Sequence, residues 1–197
     1  MDKTPLEAKI VLLGEAGVGK SSIVLRYVTD SFKTDAEGTV GASYMGKIVN
    51  FNDRLVKLNI WDTAGQERYH SLAKMYYRDA NAALLVYDVT NSDSFDGMIR
   101  WYNEVKQNSN PGIVVAIAAN KEDLIENEKI EHHKTMKFAE SINAVFNRTS
   151  AKSSYGIEQI FKEIVIKLFP EINQIKERAQ SVHLTSKSAK THKKNCC

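Results

Sequence analysis

Cysteine is nearly absent from this chain, and its placement tells as much as its scarcity. Only Cys196 and Cys197 are present, the last two of 197 residues. Adjacent cysteines at one end cannot staple a fold, so no disulfide framework is expected and a reduced, intracellular protein is implied. Long apolar runs are lacking too; none approaches the ~20 residues that span a bilayer. The opening MDKTPLEAKI has no apolar stretch of the secretory-signal kind. No internal repeat is found. Excess positive charge is missing from most of the chain. Lys187, Lys190, Lys193 and Lys194 are the only charged Lys, Arg, Asp or Glu residues after position 180, and taking those four from the net +3 leaves the first 180 residues at −1. A nearly neutral body argues against nucleic-acid binding. What remains is 43% hydrophobic, ordinary for one globular domain with a real core.

Apolar runs alternate with helical patterns along that body. Strands are expected over 9–13, 82–87, 113–119 and 145–148. The stretches 43–51 and 55–62 flank the polar Asn52-Asp53-Arg54, the signal of an antiparallel hairpin. Helices are expected over 20–29, over 92–107 with Phe95, Ile99, Tyr102 and Val105 inward, and over 133–142. A last helix carries Ile157, Ile160, Phe161, Ile164, Val165 and Leu168, and Pro170 ends it. His132 and His133 read as a solvated helix start. This is the rhythm of a doubly wound α/β domain, whose ligand loops gather at the carboxyl ends of its strands. The organisation expected is a short extension over 1–8, a domain over 9–170, and a flexible tail over 171–197.

The densest chemistry lies in Gly14-Glu15-Ala16-Gly17-Val18-Gly19-Lys20-Ser21-Ser22, which matches G-x-x-x-x-G-K-[ST] in full. An apolar strand precedes it and a helix follows, so backbone N–H groups of a glycine-rich turn point at one anion. Lys20 reaches outer phosphates and the Ser21 hydroxyl is placed for Mg²⁺. This segment alone does not choose among ATPases, kinases and GTPases. Three later segments narrow the choice: Asp62-Thr63-Ala64-Gly65-Gln66-Glu67, Asn120-Lys121-Glu122-Asp123 and Thr149-Ser150-Ala151-Lys152. Each closes a strand on the same edge as the glycine-rich turn.

With these motifs, over about 8–170, the chain resembles a small GTPase of the Ras superfamily. Lys57 to Glu67, Tyr76-Tyr77-Arg78 and Leu85 to Thr90 resemble the Rab branch. Val40-Gly41-Ala42-Ser43 and Tyr69-His70-Ser71-Leu72 resemble its early-endosomal group. The resemblance implies a small G domain with a six-stranded, mostly parallel sheet, one antiparallel edge strand and helices on both faces. It implies GTP and GDP as ligands. Guanine offers N1–H and an amino group side by side, and the Asp123 carboxylate can accept both. Adenine lacks that pair and would leave the carboxylate unpaired, at about 1–3 kcal/mol. Phe32, Asn120, Lys121, Asp123, Ser150, Ala151 and Lys152 are the implied base-binding set.

Mg²⁺ is implied on Ser21, on Thr39 at the family spacing of 18 residues further on, and on Asp62 through water. Gly65 would lend its N–H to the γ-phosphate, and Gln66 would orient the attacking water as the catalytic residue. No arginine is assigned by motif to reach the γ-phosphate, so slow turnover and an activating protein are implied. Segments near 33–42 and 63–78 would order around that phosphate. The Ala16 methyl would sit near the transition state, and Gly38 would loosen the first of those segments. Tyr44, Trp61 and Tyr76 match an effector-facing aromatic triad, with Tyr44 where Phe is usual. Cys196 and Cys197 match a geranylgeranylated pair, which the tail lysines would support at an anionic membrane. The resemblance further implies an exchange factor, a GDP-dissociation inhibitor and effectors as partners, a monomeric G domain, and the cytoplasmic face of early endosomes or plasma membrane. Two other readings stand beside this. A nucleotide kinase would need an arginine-bearing lid, and a hydrolysis-poor scaffold would need a defect among Ser21, Thr39, Asp62 and Gln66.

Overall fold

In a computed structural model, residues 4–34, 38–65 and 75–172 are described. Gln66, much of the second expected ordering segment, and Cys196 and Cys197 with the tail lysines lie outside them. The elements run β1 (Leu6–Leu13), α1 (Lys20–Thr29), β2 (Ala42–Phe51), β3 (Arg54–Thr63), β4 (Ala82–Asp88), α2 (Ser92–Asn108), β5 (Val114–Asn120), a 3₁₀ helix (Glu122–Asn127), α3 (His132–Ser141), β6 (Val145–Thr149) and α4 (Ile157–Leu168). The strands form one six-stranded sheet in the order β2-β3-β1-β4-β5-β6. Among the described residues only β2 runs antiparallel, on β3; the other neighbours are parallel. The expected topology is the observed one.

Parallel strands are buried on both faces, and the core divides accordingly. Ile10 and Leu12 face one way with Ile23 and Tyr27 of α1 and Ile160, Phe161 and Ile164 of α4. Val11 and Leu13 face the other way with Phe95, Met98 and Trp101 of α2 and Ala139 of α3. The β2–β3 turn is a tight two-residue one: Asn52 and Asp53 both have positive φ, 47° and 65°, which suits a primed hairpin. Arg54 is already in the ladder, paired with Phe51.

Two expected boundaries are corrected. β1 starts at Leu6, so Leu6, Glu7 and Ala8 pair with Val56, Lys57 and Leu58 instead of forming an extension. At the other end Ile172 is 1% exposed, and its carbonyl accepts from Asn52 Nδ2 at 3.1 Å. The packed domain therefore runs past position 170. In α2 the deep positions are Phe95, Met98, Trp101 and Val105, with Ile99 and Tyr102 at the margin. The buried seam is turned from the expected one because the large Trp101 ring takes the inner place.

Candidate functional site: a groove at the carboxyl ends of the strands

β1 delivers the glycine-rich turn to the carboxyl edge of the sheet, and α1 leaves from it. Close packing dictates glycine here. Gly14 has φ 147°, and a Cβ on it would lie 2.2 Å from the Val86 carbonyl oxygen. At Gly19, φ is 97° and a Cβ would lie 2.4 Å from Asn120 Nδ2. Lys20 is 5% exposed, and its ammonium donates to the Gly14 and Glu15 carbonyls, each at 2.8 Å. Burial pushes its pKa down to about 8, against the pull of the Asp62 and Glu15 charges. An incoming phosphate would supply the negative charge that this buried cation lacks.

Three oxygens converge beside it. Ser21 Oγ and Thr39 Oγ1 are 2.6 Å apart, and Thr39 donates to Asp62 Oδ2 at 3.3 Å. Asp62 is 3% exposed, and its Oδ1 makes no hydrogen bond. Burial raises its carboxyl above the usual range, while the Ser21 hydroxyl, the Lys20 charge, and the Thr39 and Ser43 hydroxyls pull it back. A buried carboxylate oxygen without a donor, next to two hydroxyls, is a hard oxygen set of the kind Mg²⁺ takes. The residues present therefore fit that ion. Gly65 presses directly on the glycine-rich turn: a Cβ there would come within 2.4 Å of the Glu15 carbonyl and 2.5 Å of Ala16 N. The neighbouring Ala64 N–H donates to the Gly41 carbonyl at 2.8 Å, joining this loop to the Thr39 segment.

The opposite end of the groove is built from side chains. Asn120, 2% exposed, donates to the Val18 carbonyl at 2.8 Å and accepts from Thr149 Oγ1 at 3.2 Å. That bond ties the end of β5 to the glycine-rich turn. Asp123 accepts from Ser150 Oγ at 2.5 Å, with Lys152 Nζ 4.0 Å away. Lys121, at φ 68°, places its ammonium 2.7 Å from Asp88. Burial would raise the Asp88 carboxyl, but hydrogen bonds from Lys121 and Thr90 hold it below its usual range. Between the ends lies a cavity of about 430 Å³ whose lining includes Ala16, Lys20, Ser21, Phe32, Thr39 and Asp123. That volume suits a small organic ligand.

The wall also includes Gly17, Gly19, Ser22, Gly65, Asn120, Lys121, Ala151 and Lys152. The Glu15 side chain turns away from the groove, to Arg100 at 3.2 Å over Gly97, while its carbonyl accepts from Lys20. The Val18 side chain is buried in the core, and Ser150 is fully buried, with its hydroxyl on Asp123. Reading by motif missed two arginines. Arg26 of α1 donates to the carbonyls of Ala151 at 2.8 Å and Lys152 at 3.2 Å. Arg148 binds the segment around Asp123. Neither belongs to a short motif, though Arg148 directly precedes Thr149-Ser150-Ala151-Lys152. On the outer face, Trp61 lies between Tyr44 and Tyr76, with ring centroids 5.5 and 5.4 Å away. The Tyr44 hydroxyl donates to Asn59 at 2.8 Å.

The model of the Ras family matches residues 9–169, most of the chain and every segment just described. The chain belongs to the Ras family. Among its relatives are the Ras-related protein Rab-5A of Dictyostelium discoideum, 49% identical over 81% of this chain and 80% of that one, and Rab-22A of Homo sapiens, 49% identical over 80% and 81%. RABF2b of Arabidopsis thaliana is 47% identical over 83% of this chain and 82% of its own. These relatives stand with the early-endosomal Rab resemblance read from the residues. This Ras-family protein is a GTP-binding and GTP-hydrolysing switch of vesicle traffic. The kinase reading falls with that membership.

Proposed function

We propose that this GTPase works in early endocytic traffic, on the cytoplasmic face of early endosomes or the plasma membrane, and cycles through the cytosol. In the proposed arrangement, guanine hydrogen-bonds to Asp123 and is flanked by Phe32 and the Lys121 stem. The Ala151 N–H serves its O6 atom. The triphosphate lies along the backbone from Glu15 to Ser22, with Lys20 at its outer end. One observation carries the nucleotide arrangement: a buried cation and an oxygen-donor trio at one end of a single groove, and a held carboxylate at the other.

Mg²⁺, held by Ser21, Thr39 and, through water, Asp62, would neutralise phosphate charge. Lys20 and the N–H groups of the glycine-rich turn bind the phosphoryl oxygens, so positioning and charge do most of the work. Gln66 orients water toward the γ-phosphate. An activating protein supplies the missing cation, a contribution on the order of 10³–10⁵ in rate. Gly65 and Thr39 respond to the presence of that phosphate, and the Tyr44–Trp61–Tyr76 surface displays the outcome to effectors. An exchange factor resets the cycle. A GDP-dissociation inhibitor withdraws the protein from membranes, where geranylgeranyl groups on Cys196 and Cys197 would hold it.

Chromatography of nucleotide released from the purified protein tests the base end; guanine nucleotides are expected, and adenine nucleotides would sink the reading. Gln66→Leu tests the catalytic assignment. Single-turnover hydrolysis should fall about a hundredfold or more while GTP stays bound, a loss of the size seen when a transition-state contact is removed. An unchanged rate would remove Gln66 from its role.

A further inference from the structure

The 3₁₀ helix that follows Lys121 presents a physical problem. It carries Asp123, yet none of its residues is buried, and Leu124 and Ile125 are 39% and 47% exposed. No side chain caps it, and Leu124 breaks its helical geometry at φ −110°, ψ 25°. Short 3₁₀ turns have poor hydrogen-bond geometry of their own. Packing anchors the chain only at its two sides, at Asn120 and at Ile130, 2% and 4% exposed. Something polar must keep the stretch between them in place.

Arg148 reaches into that stretch from β6. Its Nε donates to Glu122 Oε2, and its Nη2 forms an ion pair with Glu128 Oε1 at 3.0 Å. Its Nη1 stands 3.4 Å from His132 Nδ1. The guanidinium side chain is 15% exposed and the two carboxylates 20% and 19%, so water screens these contacts only weakly. One planar cation thus touches both ends of the 3₁₀ segment, with a hydrogen bond to Glu122 and a charge contact to Glu128. The arginine is itself fixed: Gly156, at φ 68°, packs so closely that a Cβ would lie 2.0 Å from the Arg148 carbonyl oxygen. Two cross-links therefore join the same pair of chain segments, Arg148 to Glu122 and Ser150 to Asp123, at adjacent positions on one side and two apart on the other.

We propose that Arg148 is a positioning residue for guanine recognition: by clamping Glu122 and Glu128 it holds the Asp123 carboxylate in register with Ser150 and the base. The proposal rests on the reading of Asp123 as the guanine acceptor. Arg148 contacts no ligand in this account; it acts through the segment that carries Asp123.

Dissociation rates of GDP and of inosine diphosphate, which lacks the 2-amino group, test it in the full chain. With Arg148→Ala the GDP rate should rise about tenfold and the inosine rate about threefold, because a displaced carboxylate loses its two-donor partner more than a one-donor partner. Arg148→Lys keeps the charge without the fork and should lie between wild type and Arg148→Ala, which also covers the case in which the alanine variant fails to fold. A merely structural role predicts that both rates rise by the same factor; that result, or no change, overturns the proposal. Asp123→Asn is the control. If it leaves the ratio of the two rates at the wild-type value, the reading of Asp123 falls and the proposal with it. If it collapses the ratio while Arg148→Ala and Arg148→Lys do not, only the positioning role falls.

Discussion

The two ends of the groove are held by different means. At the phosphate end, backbone meets backbone, Gly65 on Glu15 and Ala16 and Gly14 on Val86, with the Lys20 ammonium added on two carbonyls. At the base end, side chains cross-link loops that the sheet edge already orders: Asn120 to Val18, Ser150 to Asp123, Arg148 to Glu122. On the proposed reading the first design would sense a ligand, the Thr39 segment meeting it among the described residues at one hydroxyl and at the Gly41 carbonyl. On the same reading the second would select a ligand, because a carboxylate with a fixed direction penalises the wrong base. Changes at the phosphate end should therefore separate GTP from GDP. Changes at the base end should alter both nucleotides alike.

The largest break in that contrast is expected from Lys20→Ala. It removes the buried cation and leaves Asp62 unneutralised, a loss of about 3 kcal/mol or more, over a hundredfold in nucleotide affinity by fluorescence titration. Next comes Ser21→Asn, which should weaken Mg²⁺-dependent GTP binding about tenfold more than GDP binding, the loss of a charge-assisted contact. Equal affinities in exchange assays would reject the metal assignment. Gly65→Ala sets a Cβ against backbone that cannot move aside. GTP affinity should drop about tenfold from a clash of 1–2 kcal/mol, with GDP less affected. An equal loss for both nucleotides would show that Gly65 is a packing residue and not a γ-phosphate contact.

The sequence made the phosphate end more legible than the base end, for a physical reason. A glycine-rich turn between a strand and a helix has one dominant use, so Gly14 to Ser22 and the span of α1 could be read locally. The Asn52–Asp53 turn was similarly plain, since two residues of positive φ announce themselves by type. Arg148 and Arg26 were not legible, because their meaning lies in contacts 26 and 125 residues away. The start of β1 was hidden by Glu7, a charged residue at a solvated position, which pairs with Lys57 at 3.2 Å on the neighbouring strand. Ile172 was hidden behind Pro170: α4 ends before the proline, as expected, but helical backbone resumes at Pro170 and buries one more residue. In α2, period alone could not choose between adjacent seams, and the size of Trp101 decided.

Arg26 sharpens the comparison because it belongs to both ends. It lies on α1, the helix that the phosphate turn opens, yet its guanidinium serves the carbonyls of Ala151 and Lys152 at the base end. A third nitrogen serves Asp30 at the end of its own helix, at 3.0 Å, so the side chain is held at three places and is 17% exposed. If the ends were independent, Arg26→Met, which keeps the stem and removes the fork, would loosen only the base loop. Since α1 is rigid, the loss should instead reach the glycine-rich turn as well. GDP dissociation should quicken about threefold, the scale of one charged hydrogen bond partly replaced by water, and GTP dissociation by a larger factor. Exchange kinetics with labelled nucleotides decide between these outcomes. An equal factor for GDP and GTP would mean that the phosphate end does not feel the base loop through α1.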